Sequence, residues 1–422
     1  MPSVRVSHLE ERESKPKRLY ATVEGDDGGQ RQVTLTIFLN TEAQKRGLPC
    51  VENHVYALTP RKRRDFLQGL FLSVLDFSKL PLIDNTVTRV VIRTRIGDES
   101  VEEYGQRFFE PVCQLVQSYR GIRLTHVECF VQEDEEVVIP FLPLEKYRSC
   151  SPRLQFISID HILGLDRKEN LLHKGVYKVF VGHDQYVYKQ VASAHDIPSQ
   201  ANEIDALIRL TISSRVIHLH GLVFTSSPYQ TYPEIESPPV VRGILLSYAT
   251  RGDLHHLLTN DSERISFRQR LLWALEITEG LRDIHNVHLA HSDLKSSNVV
   301  IGSDNKANII DLGQFGVTYG WTAPEVWFAE GEGNPLQMLE VKMLQTADVY
   351  SLGVVLWELG TRRSVNIPMG LDHREFFLSN MQQLPEKYQE LILKCLQTEP
   401  GARPQLVSVI TVIHSLIEDV EV

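Results

Sequence analysis

Hydrophobic and polar positions change period several times along the chain. "RLYATVE" and "RQVTLTIFL" alternate apolar and polar residues, as half-buried strands do. "RKRRDFLQGLFLSVLDF" sets Phe66, Leu70, Val74 and Phe77 at helical spacing and predicts a helix whose basic start, Arg61 to Arg64, is solvated. "TRVVIRTRI" predicts a further strand. "SVEEYGQRFFEPVCQLVQSYRG" predicts a helix kinked or broken at Pro111. "HVECFVQEDEEVVIPFLP" predicts two strands around an acidic turn. The polar "EKYRSCSPR", with Pro152, closes this α+β pattern, so one domain is expected over residues 1–150 and another over 154–422.

A different pattern follows. Strand-like "GVYKVFVG" and "YVYKQV" lead to the helical "SQANEIDALIRL", then to apolar "VIHLHGLVF" and "RGILLSYA". Between the last two, "TSSPYQTYPEIESPP" is rich in proline and predicts an exposed loop. After Ala249 helical periods dominate, in "RQRLLWALEITEGLRDIHN", "TADVYSLGVVLWELG", "EKYQELILKCLQ" and "PQLVSVITVIHSLIE". A small strand-rich half thus precedes a larger helical one. "RGD" at Arg251 to Asp253 is a helix start, with Asp253 as N-cap and Leu254, Leu257 and Leu258 on the buried face.

Composition narrows the function classes. At 42% hydrophobic and 23% charged residues, the 422-residue chain can build ordinary globular cores. A net charge of −10 leaves no basic excess for phosphate backbones, so no nucleic-acid partner is expected. The five cysteines include no CxxC pair, which argues against a zinc site or a disulfide framework. No membrane span and no signal peptide are expected, and an intracellular, cytoplasmic or nuclear location follows. The histidine pairs His218/His220 and His255/His256 are expected to be structural.

Candidate chemistry sits in "LAHSDLKSSNVVI", Leu289 to Ile301. Asp293, Lys295 and Asn298 share one loop between two apolar runs. Phosphoryl transfer needs that set: an acceptor for the attacking hydroxyl's proton, a cation beside the transferred group, and an oxygen ligand for magnesium. A second metal-ligand candidate, Asp311, follows in "NIIDLG", with Gly313 to permit a turn. Upstream, Lys189 lies on a strand within reach of phosphates, and Glu203 on the next helix is placed to pair with it.

From about Phe156 to its end the chain resembles a eukaryotic protein kinase catalytic domain. "HSDLKSSN" resembles the catalytic loop, "DLG" the metal-binding motif, "VYK" the lysine strand, and "DVYSLGVVLWEL" and "EPGARP" later parts of the large lobe, while "APE" stands at Ala323 to Glu325 as in the family. The resemblance implies an α+β, two-lobed fold with a small β-rich lobe and a large helical lobe, preceded here by a smaller α+β domain. It implies ATP and Mg2+ as cofactors and a protein substrate. Asp293 would be the catalytic base and Lys295 the neutralising cation. Asn298 and Asp311 would hold magnesium. Lys189, with Glu203, would contact the α- and β-phosphates. Leu246 would be the gatekeeper, Ser247, Tyr248 and Ala249 the adenine-binding hinge, and Asp253 a further nucleotide-side position. Glu325 and Arg403 match a structural ion pair. "DLKSSN" is the serine/threonine form of the loop.

The chain also departs from the family. Gly164 and Gly175 lie eleven positions apart with "LDRKEN" between them, so no ordinary glycine-rich loop is present. Ser292 stands where the family's arginine meets an activation-loop phosphate. Asp311 to Glu325 spans only fifteen residues, which leaves almost no loop to phosphorylate. Aligned back from Ala323, Thr318 falls on the threonine that contacts the catalytic Asp and Lys, and Trp321 on the family's aromatic. A kinase independent of activation-loop phosphorylation is expected. The alternative is a pseudokinase or kinase-like scaffold.

Overall fold

Alternation in the first third of the chain builds one sheet. The computed structural model describes residues 3–10, 16–25, 27–48, 50–75, 80–94, 106–108, 118–119, 122–123, 127–150, 154–232, 237–260, 264–313, 316–331, 339–368 and 373–421. These form two units: Met1–Pro143 with Thr225–Val240, and Leu144–Phe224 with Val241–Val422.

The first unit begins with strands β1 (Ser3–Glu10), β2 (Lys17–Glu24) and β3 (Gln30–Ile37), then short helices α1 (Thr41–Lys45) and α2 (Val51–Ala57) and the longer α3 (Pro60–Val74). It continues with β4 (Val87–Thr94), β5 (Gln106–Phe108), the small ladder of β6 (Ser118–Tyr119) and β7 (Ile122–Arg123), and β8 (Val127–Glu133). The sheet order is β1-β2-β3-β4-β8-β5. Helix α3 packs Phe66, Leu67, Leu70 and Phe71 against Leu19, Leu35, Ile37, Val90 and Ile92 on one sheet face.

Three expectations for this unit are corrected. In the stretch expected as a helix around Pro111, Gln106–Phe108 and Ser118–Tyr119 are strands, and Pro111 lies outside the described residues. After β8 no second strand follows. Asp134 is fully buried, and its carbonyl accepts from Val137 and Val138 in a tight turn. Its carboxylate accepts from Arg89 Nη2 and Thr34 Oγ1, both at 2.6 Å, on the sheet's second face. Arg63 of the basic run is not solvated: it donates to the carbonyls of Val55 (2.8 Å), Tyr56 (3.2 Å) and Leu58 (2.7 Å), satisfying the C-terminal end of α2.

The proline-rich "loop" is also an integral part of this unit. Thr231 is 1% exposed. Its carbonyl accepts from Gln30 N (2.8 Å), its hydroxyl from Asn85 N (2.8 Å), and its own N–H donates to Asn85 Oδ1 (3.1 Å). Tyr229 Oη accepts from Ile139 N at 2.9 Å, and Tyr232 Oη donates to Asp27 at 2.8 Å.

The second unit opens with α4 (Glu145–Arg148) and β9 (Gln155–Ser158), then β10 (Leu171–His173), β11 (Val176–Val181), β12 (Asp184–Gln190), α5 (Asp196–Arg209), β13 (Leu219–Thr225) and β14 (Val240–Ser247). Its sheet order is β10-β11-β12-β14-β13-β9. The helical part holds α6 (Leu254–Thr259), α7 (Phe267–Asn286), the short hairpin strands β15 (Val299–Ile301) and β16 (Ala307–Ile309), and α8 (Pro324–Gly331). It ends with α9 (Val341–Thr361), α10 (His373–Ser379), α11 (Glu386–Cys395) and α12 (Leu406–Glu421). Residues 347–361 of α9 are all buried, as a helix apolar on every side must be. A β-rich part and a helical part are thus present in this unit. No described helix is long and apolar enough to cross a membrane.

Candidate active site

Strand β12 alternates its faces. Tyr188 enters a cluster with Ile157, Val179 and Leu245, which turns Val187 and Lys189 to the other side. There Lys189 Nζ lies 2.7 Å from Glu203 Oε2 on α5 and 2.8 Å from Asp311 Oδ1 after β16. Burial opposes the Lys189 ammonium, but the two carboxylates outweigh it and its pKa is raised. Burial pushes Glu203 up to about 7 against the pull of Lys189. Asp311 has φ +61, and Gly313 follows at φ +77. A Cβ on Gly313 would lie 2.7 Å from Glu203 N and 2.8 Å from Asn202 C, so only glycine lets this turn meet α5.

The Asp293 loop runs between α7 and β15. Oδ2 of Asp293 accepts from Lys295 Nζ (2.7 Å) and Asn298 Nδ2 (3.2 Å), and Oδ1 accepts from Thr318 Oγ1 (2.9 Å). Lys295 also donates to Thr318 Oγ1 at 3.2 Å. Asn298 Nδ2 donates to the Asp293 carbonyl at 2.8 Å, which turns its amide oxygen away from that carboxylate. Fully buried His291 bonds through Nε2 to the Ile310 carbonyl at 2.9 Å, tying the loop to the segment that carries Asp311.

Asp348, read from sequence only as part of a buried helix, organises this loop from below. Its carboxylate accepts from His291 N (2.8 Å) and Ser292 N (2.9 Å) and pairs with His285 Nε2 (2.9 Å). The left-handed φ of +65 at Ser292 turns two successive N–H groups onto one carboxylate. A lone acidic residue opening a long apolar run was the available signal. Glu358, 1% exposed, accepts from Ser296 Oγ (2.9 Å) and Trp321 Nε1 (3.1 Å) and so joins this loop to the segment before "APE". Arg403 and Glu325 form a two-fold pair at 2.6 and 2.8 Å.

The remaining candidates are placed as follows. Leu246 is buried on β14, and Ser247 donates its N–H to the His218 carbonyl while its hydroxyl meets His220 Nε2 at 3.0 Å. Burial, with His218 alongside, lowers the His220 pKa. The Tyr248 ring sits 4.9 Å from Lys178 Nζ, and Ala249 accepts from Gly252 N at 3.3 Å. Asp253 accepts from His256 N at 2.8 Å and caps α6. Strands β10 and β11 are joined by a two-residue turn, Lys174 and Gly175. Gly164 belongs elsewhere, its carbonyl accepting from Asn170 Nδ2 at 2.9 Å, so the two glycines do not share one phosphate-cradling loop.

The donor set suits magnesium with a nucleotide. Among the described residues no three His, Cys, Asp or Glu side chains converge. One carboxylate, Asp311, and one amide oxygen, Asn298, are oxygen ligands of the type that hold a Mg2+ whose other ligands are phosphate oxygens and water.

Comparison with known proteins agrees in kind. A family model described as protein tyrosine and serine/threonine kinase matches residues 187–413, more than half of the chain. The match begins after the strands where a glycine-rich loop would lie. The RGS domain-containing serine/threonine-protein kinase A of Dictyostelium discoideum is 30% identical over 195 residues, 41% of this chain and 16% of that protein. Cyclic GMP-binding protein C of the same organism is 31% identical over 205 residues, 40% of this chain and 7% of its own length. The serine/threonine/tyrosine-protein kinase HT1 of Arabidopsis thaliana is 27% identical over 258 residues, 56% of this chain and 63% of that protein. The chain thus matches less than two thirds of each of these relatives. The matched segment runs from the Lys189 strand through the Asp293 loop to the last helix, and through it the chain belongs to the protein tyrosine and serine/threonine kinase family.

Proposed function

We propose that this chain is an ATP-dependent protein kinase that transfers the γ-phosphoryl group to serine or threonine hydroxyls of protein substrates. The observation that carries the reading is the Asp293 carboxylate, held at both oxygens by Lys295, Asn298 and Thr318. A carboxylate so pinned is preorganised to receive a proton. As the substrate hydroxyl oxygen bonds to the γ-phosphorus, the bond to the leaving ADP oxygen breaks and the hydroxyl proton passes to Asp293. Lys295 stands beside Asp293 to neutralise charge on the transferred group. Lys189, kept extended by Glu203, would meet the α- and β-phosphates, and Leu246 with Ser247, Tyr248 and Ala249 would border the base. Magnesium, held by Asn298 and Asp311, would neutralise phosphate charge.

The segment before "APE" supports control without activation-loop phosphorylation. Thr318 N donates to Thr322 Oγ1 (2.9 Å), Trp321 bonds Glu358, and Ser351 Oγ donates to the Trp321 carbonyl (2.8 Å). These bonds hold the segment through the chain's own side chains and backbone. One observation favours a second reading, a pseudokinase: the two-residue turn between β10 and β11 offers few amides to a triphosphate. Transfer from radiolabelled ATP with Mg2+ decides. Incorporation by the native chain that vanishes in Asp293→Asn is the expected result; no incorporation by the native chain favours the pseudokinase.

A further inference from the structure

Gly316, two residues before Thr318, lies against the Asp293 carboxylate. A Cβ built on it would sit 2.7 Å from Cγ, 2.9 Å from Oδ2 and 3.0 Å from Oδ1 of Asp293. No ordinary Cβ contact is that short. What the position demands is space.

The neighbour that would have to yield is not free to do so. A carboxylate has about four lone-pair positions, two on each oxygen. Lys295 and Asn298 occupy both on Oδ2, and Thr318 occupies one on Oδ1. A side chain at 316 would therefore break one of these bonds or cover the remaining position.

We infer that Gly316 is a positioning residue: by lacking a side chain it keeps Asp293 in its three-bonded orientation and leaves the second lone pair of Oδ1 open to the substrate hydroxyl. The proton released when the hydroxyl oxygen attacks phosphorus then goes to Oδ1, the oxygen that Thr318 also holds. This rests on the kinase reading for its chemistry, but not for its geometry.

The test compares Gly316→Ala in two backgrounds, native and Asp293→Ala. With radiolabelled ATP, Gly316→Ala should lower the autophosphorylation rate at saturating nucleotide by roughly 10- to 100-fold. Affinity for a fluorescent ATP analogue should stay within about twofold, because Lys189, Glu203 and Asp311 are untouched. The melting temperature should fall by roughly 2–6 °C in the native background and by less than about 1 °C where the carboxylate is gone. Equal melting shifts in both backgrounds, or an unaltered transfer rate in Gly316→Ala, overturn the inference. If the native chain transfers no phosphate, the kinase reading fails, and the melting comparison alone decides whether Gly316 positions Asp293.

Discussion

Replacing Lys189 with methionine removes the ammonium that joins Glu203 to Asp311 while keeping much of the side-chain volume. Glu203 is 1% exposed, and its Oε1 has no hydrogen-bond partner among the described residues. Breaking a buried pair by deleting one member costs about 3–5 kcal/mol when the other stays charged. Here proton uptake limits that loss. Burial already raises Glu203 from its ordinary 4.5 to about 7, and Lys189 is the group that pulls it down. Without Lys189 the value rises further. A carboxyl raised on folding binds more protons folded than unfolded, so its stabilising contribution is complete below pH 4.5 and is lost as pH climbs through the folded value. The mutant's penalty relative to the native chain should therefore be small at about pH 6 and approach roughly 3–5 kcal/mol by about pH 9. Urea unfolding across that range measures it, and Glu203→Gln, which cannot titrate, should flatten the profile. Calorimetry at about pH 7, where the mutant remains folded, should show weakened ATP binding. Unchanged ATP affinity in a folded mutant would refute the nucleotide-site assignment, and a pH-independent penalty would refute the electrostatic account.

Arg403→Met should destabilise the second unit by about 3–5 kcal/mol, because Glu325 and the carbonyls of Thr346 and Gln397 lose their shared donor; thermal unfolding that shifts by less than about 1 °C would count against it. Phosphatase treatment should leave transfer activity unchanged, while Thr318→Ala should lower it by removing the donor to Asp293 Oδ1. A large loss on dephosphorylation, traced by mass spectrometry to Thr318, Tyr319 or Thr322, would contradict this.

The sequence alone determined which groups are candidates for the chemistry and which long elements hold them. Lys189, Glu203, Asp293, Lys295, Asn298 and Asp311 stood out as candidates because phosphoryl transfer restricts residue type and order, and the structure brings Lys189, Glu203 and Asp311 within bonding distance. Helices α3, α7, α11 and α12 were legible because each is long enough for a 3.6-residue period to repeat. Strands of three residues, such as β10, β15 and β16, have no period to read. Only the tertiary structure decided the fate of polar residues whose partners lie far along the chain. Asp134 is buried because Arg89 and Thr34 meet it across the sheet. Thr231 joins the first unit through Gln30 and Asn85, more than a hundred residues away in sequence. Asp348 and Gly316 belong to the same class. One gathers the N–H groups of a loop 56 residues upstream, and the other matters for the space it leaves beside Asp293. A local window records how often a residue faces apolar neighbours, and it holds no trace of a hydrogen bond or an absent atom that exists only once distant segments have packed.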